Sequence, residues 1–269
     1  MILVTNDDGF NSTGIKHLYK NASLVDDTIM IAPDRMRSAS GMSITFTQPM
    51  RLEPLEKYGY KGYSTSGYPA DAITMARSVI LKNKRIDLVA SGINLGSNIS
   101  LRSLYASGTL SAAMAAALVG IKSMAFSMVT DSINKNDDSD FAMAGVFSKY
   151  FMSEFKKNGF PENVDVLNIN YPSKITEDTA IRVVRMSPFI FEDFIEENID
   201  PNGRKYYWMG NRIKPDSDHD TDYYALMEEN NITVTPLTIH GNAVKDFNST
   251  IKFVDAVSKA IYSDDVVYM

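Results

Sequence analysis

The stretch ILVTNDDG, residues 2–9, decides how the rest of the chain is read. Ile2 to Thr5 is a short apolar run without the alternation of a half-exposed strand, the pattern of a strand buried on both faces of a parallel sheet. Asn6-Asp7-Asp8-Gly9 then breaks it as a turn. In such sheets ligands bind beyond the carboxyl ends of the strands, near a switch point. Adjacent carboxylates placed there repel, and both stay ionised only with a cation nearby. Oxygen donors of that kind favour Mg2+, Mn2+ or Ca2+ over zinc. The plainer alternative is an Asp N-cap with an Asx turn leading into the next helix.

Outward from this stretch, apolar strand patterns alternate with helix patterns. Thr28 to Ala32, Tyr63 to Ser66, Asp87 to Ser91, Met124 to Met128 and Val164 to Ile169 read as strands. Gly14 to Ala22, Pro69 to Leu81, Thr109 to Val119 and Phe141 to Lys157 read as helices, the second with Ile73, Ala76, Val79 and Ile80 on one face. The alternation predicts an α/β fold, Rossmann-like, with a mostly parallel sheet covered on both faces. After about residue 180 the pattern changes. Ile181 to Arg185 reads as extended, and Asn202-Gly203-Arg204 reads as the turn of a hairpin. Its flanks carry Phe189, Phe191, Phe194, Tyr206, Tyr207 and Trp208, an aromatic content that suggests burial against another subunit. Ile232 to Thr235 reads as a strand ending at Pro236, and Val244 to Tyr262 as a C-terminal helix. The expected organisation is one domain over 1–269, with an α/β core at 1–180, a hairpin arm at 181–240 and a C-terminal helix at 241–269.

Composition narrows the function classes. The chain has 269 residues, 44% hydrophobic and 22% charged, with 27 Lys and Arg against 33 Asp and Glu, a net charge of −6. That balance argues against a nucleic-acid polymer as partner, which calls for a basic face. The absence of cysteine excludes disulfides, thiolate metal sites and cysteine nucleophiles. No apolar stretch is long enough to span a bilayer, and the N-terminus turns acidic too early for a signal peptide. The expectation is a cytoplasmic protein with no membrane partner.

Three further polar segments follow predicted strands. APDRMRSASG at 32–41 combines Ser38 and Ser40 with Arg35 and Arg37, which suits an anion; a solvated loop is its alternative. SGINLGSN at 91–98 holds Asn94, whose amide oxygen suits a metal and whose nitrogen suits a phosphoryl oxygen; its alternative is a left-handed Asn in a Gly-rich turn. Ser107-Gly108-Thr109 opens the Ala-rich helix, where free amides and the dipole attract an anion, unless it is an ordinary cap. Together these loops specify a cation, an anion pocket and metal-assisted attack of water on a phosphomonoester.

The same segments, with STSGYPADA at 64–72, YASGTLSAA at 105–113, TDYYAL at 221–226 and ITVTPL at 232–237, resemble the SurE family of nucleotidases. The resemblance implies a Rossmann-like core with a C-terminal arm exchanged between subunits of a homodimer or homotetramer. It implies hydrolysis of nucleoside 5′- and 3′-monophosphates with one divalent cation, Mg2+ or Mn2+, per subunit. By position it assigns the metal to Asp7, Asp8, Ser38 and Asn94, and the phosphate to Asn94, Ser107, Gly108 and Thr109. Asp7 or Asp8 then orients or deprotonates the attacking water, and Asn94 stabilises charge on the phosphoryl group. Ser40 stands where Thr is common in the family.

Two other functions remain open at this point: an aspartyl-phosphate phosphatase of the haloacid-dehalogenase type, whose Asp-x-Asp spacing is absent because Gly9 and Phe10 follow Asp8, and a non-catalytic nucleotide sensor. The acidic run Asp216, Asp218, Asp220, Asp222 mimics a calcium loop but has Tyr223 where the sharp turn requires Gly, so a solvated loop is expected. His17 reads as structural, whereas the arm could carry His219 and His240 to a neighbouring subunit's site, a role the sequence does not assign.

Overall fold

The chain begins with a strand buried along its full length, β1 (Ile2–Thr5), because neighbours flank it on both edges and helices cover both faces. A computed structural model describes residues 1–130, 138–188, 190–239 and 247–263. After β1 come α1 (Thr13–Ala22), β2 (Thr28–Pro33), β3 (Leu52–Pro54), β4 (Gly62–Thr65), α2 (Pro69–Met75) and β5 (Leu88–Leu95). Then follow α3 (Ser100–Ala106), α4 (Gly108–Leu118), β6 (Lys122–Met128), α5 (Asp138–Asn158), β7 (Val166–Tyr171) and β8 (Ile181–Val183). The chain continues as β9 (Phe191–Ile199), β10 (Lys205–Ile213), β11 (Ile232–Leu237) and α6 (Asn248–Ser263).

Nine strands form one sheet in the order β3-β4-β2-β1-β5-β6-β7-β11-β8. The strands from β4 through β7 are parallel, as the alternating pattern predicts, while β3 and β11 pair antiparallel to β4 and β7. The chain builds outward from β1 in one direction through β2 and β4, then returns to place β5, β6 and β7 on the other side. The switch point therefore lies between β1 and β5, where their carboxyl ends leave a crevice. One face of the sheet is packed by Ile15 and Leu18 of α1, Phe147 and Phe151 of α5, and Val257 of α6. The other is packed by Ala72 and Ile73 of α2 and by Leu110, Ala113 and Ala116 of α4. No helix among the described residues is long and apolar enough to cross a membrane.

Four details differ from the sequence reading. The helix expected over Pro69 to Leu81 ends at Met75 and continues as a π-helical turn, Ala76–Ile80. The wider turn takes Val79 off the buried face, and it is 52% exposed. β5 runs four residues past Ser91, so Asn94 sits on a strand end rather than in a turn. β11 runs through Pro236 to Leu237. There Leu237 accepts from Asp165 on the β7 side, while Val234 accepts from Val184 on the other, so by alternation the ring nitrogen of Pro236 faces the side where β8 has ended. Finally, α3 is an addition: Leu101, Leu104 and Tyr105 have helical spacing over only seven residues, and the helix is held by Asp222 on the Ser100 amide and by the Gly41 amide on Ala106 O.

β9 and β10 form the expected hairpin as a separate two-stranded sheet, in register from Phe191 opposite Ile213 to Ile199 opposite Lys205. Its side chains are largely exposed, including Ile195, Trp208 and Met209 at 67%, 65% and 73%. Phe189 and His240 lie outside the described residues.

Candidate active site

The turn after β1 is closed by Asn6. Its amide oxygen accepts from the Gly9 amide at 3.1 Å, and its nitrogen donates to Gly9 O at 3.1 Å and Ser12 Oγ at 2.8 Å. This holds Asp7 and Asp8 at the crevice. Asp7 is 4% exposed. The Thr109 hydroxyl donates to its carboxylate, and the Gly108 amide stabilises it as well. Gly108 has no side chain for a packing reason: a Cβ there would lie 2.6 Å from Asp7 Cβ. Burial pushes the Asp7 carboxyl up to about 6; the Thr109 bond opposes the rise and the charge of Asp8 adds to it. Burial also raises Asp8, opposed by the Leu95 amide, which donates to Asp8 Oδ2 at 3.1 Å.

The loop after β2 is fastened to the same turn. The Arg37 amide donates to Asp7 O at 2.7 Å, and the Gly41 amide donates to Ala106 O at 2.9 Å. Gly41 has φ +52°, and a Cβ on it would stand 2.7 Å from Tyr105 O, so only glycine lets the loop dock onto α3. The loop's far end is held by buried Asp71, which accepts from the Thr45 amide at 3.0 Å and the Thr45 hydroxyl at 2.7 Å. Ser38 is thereby set at the crevice, and the buried Ser40 hydroxyl has no hydrogen-bond partner.

Across the crevice, Asn94 donates to Gly96 O at 2.7 Å, which fixes the amide and leaves its oxygen and second N–H available. Ser107 caps α4 by accepting from the Leu110 amide at 3.2 Å.

Asp7, Ser38, Asn94 and Ser107 line one cleft of about 340 Å³. Asp8 reaches its edge through Leu95, which is also part of the wall. Thr109 is fully buried with its hydroxyl on Asp7, so its side chain acts on the carboxylate. The reading of the sequence missed Arg102, Phe191 and Asn211, which complete the wall from α3 and the root of the hairpin. It also missed Asp222, a buried carboxylate that accepts from the Ser100 amide at 2.8 Å and the Ser187 amide at 2.9 Å. Asp222 thus ties the start of α3 to the segment leading into the hairpin; burial lifts its carboxyl to about 6, opposed by those amides. The signal available in sequence was its place after Thr221, but the surrounding acidic run disguised it.

The rest of that run forms a loop bonded to itself and to the surface, as expected: the Asp218 amide donates to Asp216 at 3.1 Å, the Asp220 amide to Asp218 at 3.1 Å, and Arg185 pairs with Asp218. His17 lies on α1 beside a different groove, and the His219 ring lies tilted against Tyr224 with centroids 4.0 Å apart; neither lines the cleft.

The donor set suits a hard divalent cation. The buried Asp7 and the half-buried Asp8 beside it, with no Lys or Arg paired to either among the described residues, sit next to an amide oxygen and a serine hydroxyl. No cluster of three His, Cys, Asp or Glu exists among the described residues, so Ser38 and Asn94 must complete any such site.

Comparison with known proteins bears on the same residues. The family model described as Survival protein SurE matches residues 2–193. The 5′-nucleotidase SurE of Picrophilus torridus is 45% identical over 258 residues, covering 96% of this chain and 98% of the relative. That of Pyrobaculum arsenaticum is 38% identical over 270 residues, covering 97% and 99%. The crystal structure of the SurE protein from Aquifex aeolicus has a TM-score of 0.76 and 31% identity, covering 94% of this chain and 99% of that one.

Proposed function

The chain belongs to the survival protein SurE family, and from that premise we propose how it works. It is a metal-dependent nucleotidase. Its substrates in this proposal are nucleoside 5′- and 3′-monophosphates, cleaved to nucleoside and phosphate with one Mg2+ or Mn2+ per chain. The observation that carries the reading is the meeting of Asp7, Ser38, Asn94 and Ser107 in one cleft at the β1–β5 switch point, with Asp8 at its edge.

Asp7, Asp8, Ser38 and Asn94 would hold the ion. Bound there, the cation supplies the positive charge that makes water acidic and offsets charge on the phosphoryl oxygens. Asp7 or Asp8 orients the attacking water and accepts its proton. Thr109 and Gly108 hold Asp7 in one orientation and favour its ionised form, the one a base needs. Asn94, with one N–H on Gly96 O, would offer its oxygen to the ion and its second N–H to a phosphoryl oxygen. Ser107 and the opening turn of α4, an 11-residue helix, receive the remaining phosphoryl charge. The exposed hairpin pairs the chain with itself as a dimer or tetramer, covering Ile195, Trp208 and Met209.

Phosphate release from a panel of nucleoside monophosphates tests this reading. Release is expected with Mg2+ or Mn2+, loss with chelator, and recovery when the metal is restored. Nucleotide binding without release under every metal would favour a sensor instead. A trapped phosphoenzyme would favour an aspartyl-phosphate mechanism.

A further inference from the structure

The chemistry above uses one side of the cleft. The opposite side, made by Arg102, Phe191 and Asn211, has no part in it. Side chains on a strand alternate faces, so Phe191 and Asp193 share one face of β9. Asn211 pairs with Asp193 and Ile213 with Phe191, which puts all four on the same face of the hairpin root. That face is rigidly attached. Phe191 packs on the cluster of Ile99, Ile190, Tyr223 and Leu226, and Arg102 pairs with Asp193. The Arg102 guanidinium lies 5.6 Å from the Phe191 ring centroid, so two flat groups are held together at the cleft wall. Asn211 is exposed, and its amide makes no hydrogen bond among the described residues.

We propose that the hairpin root is the nucleobase subsite: Phe191 and Arg102 give a base its stacking surface, and the Asn211 amide hydrogen-bonds its polar edge. This rests on the nucleotidase reading given above. Stacking on an aromatic ring or a guanidinium is available to every base, so Phe191 and Arg102 raise affinity for any nucleotide over a phosphate ester without one. An asparagine amide presents a donor and an acceptor side by side, which matches the N7 and exocyclic amine of adenine and equally the N3 and exocyclic amine of cytosine, so Asn211 holds a base without choosing between the two. The phosphoryl group is then anchored at the sheet edge and the base at the hairpin, with the sugar between them. Substrate choice is set by the element whose outer part is proposed to mediate self-association.

The test uses the full-length enzyme with Mn2+ and three substrates: adenosine 5′-monophosphate, cytidine 5′-monophosphate and ribose 5-phosphate. The wild type is expected to prefer the adenosine ester to ribose 5-phosphate in kcat/KM. Phe191→Leu keeps an apolar group on the Ile99 cluster but removes the ring, and should lower that ratio about tenfold. Phe191→Trp should restore it. Asn211→Ala, an exposed change, should lower the preference for both the adenosine and the cytidine ester over ribose 5-phosphate, by about fivefold. Equal use of the adenosine ester and ribose 5-phosphate by the wild type would overturn the subsite. So would a Phe191→Leu variant that slows both alike, and an unmoved preference for both nucleotides over ribose 5-phosphate in Asn211→Ala would overturn the role of Asn211. Absence of release from any nucleotide in the wild type would instead contradict the nucleotidase reading itself.

Discussion

At the carboxyl edge of the sheet, polar groups are buried; on the hairpin beside it, apolar groups are exposed. Asp7 is almost fully covered and has Thr109, Gly108 and its neighbour Asp8 around it. Trp208 and Met209 stand in solvent on a two-stranded ribbon that touches the cleft only at its root. Each arrangement is unfavourable in an isolated chain. Buried carboxylates without a counter-ion call for a cation, and a bare aromatic ribbon calls for a protein surface. The difference separates two roles in the proposal above: an ion answers the first region, and another copy of the chain answers the second.

Asp7→Asn breaks the comparison most severely. It should lower kcat/KM by about a thousandfold or more, since it removes charge from both the ion site and the base. The same change should make the metal-free protein more stable. A carboxylate lifted to about 6 adds stability below its unfolded value near 3.8 and loses it as pH rises through 6. Asn escapes that loss, so the melting temperature in chelator should rise by a few degrees at pH 7.5, with the advantage gone near pH 4. A variant no more stable at pH 7.5 would show that Asp7 carries no desolvation penalty.

Thr109→Val should have the next effect, a fall of about ten- to a hundredfold in kcat/KM. Thr109 holds the Asp7 pKa down, so its loss should move the acid limb of the pH–rate profile to higher pH. A parallel loss at all pH values would assign Thr109 to packing alone.

The two regions were not equally legible in the sequence. β1 and its acidic turn could be read because a doubly buried strand leaves a continuous apolar run, and a turn leaves Asn, Asp and Gly. The loops at Ser38, Asn94 and Ser107 followed from the same alternation, and the family resemblance supplied their roles. The sequence places Thr109 in a phosphate loop, which its amide can serve, but does not show that its hydroxyl faces Asp7, 102 positions away. Such a contact has no local signature. α3, at seven residues, is too short for its spacing to stand out, and it is held by the Gly41 docking and by Asp222 across 122 positions. Phe191 was visible as an aromatic, but which face of the ribbon looked into the cleft depended on the register with β10.

Asp222 joins the two regions and offers a way to sharpen the comparison. Asp222→Asn places an NH2 group against one of two backbone amides, so one of the bonds to Ser100 and Ser187 must fail. The expected result is a rise of about five- to tenfold in KM with a smaller change in kcat, because α3 and the hairpin root carry Arg102 and Phe191 rather than the base. An equal loss in kcat would place its influence on the ion site.

The smallest effect on chemistry is expected from Tyr206→Asp combined with Trp208→Asp, on the hairpin face away from Asn211. Light scattering should report dissociation to a monomer, with kcat lowered less than about threefold. A monomer without activity would mean that the site is incomplete in one chain.

The most direct test is calorimetric titration of Mn2+ into the metal-free protein and into Asp8→Ala. The account predicts one site per chain in the wild type and binding weaker by about a hundredfold in the variant, because a hard cation's affinity follows the charge of its ligands. Equal affinity in the two proteins would contradict it.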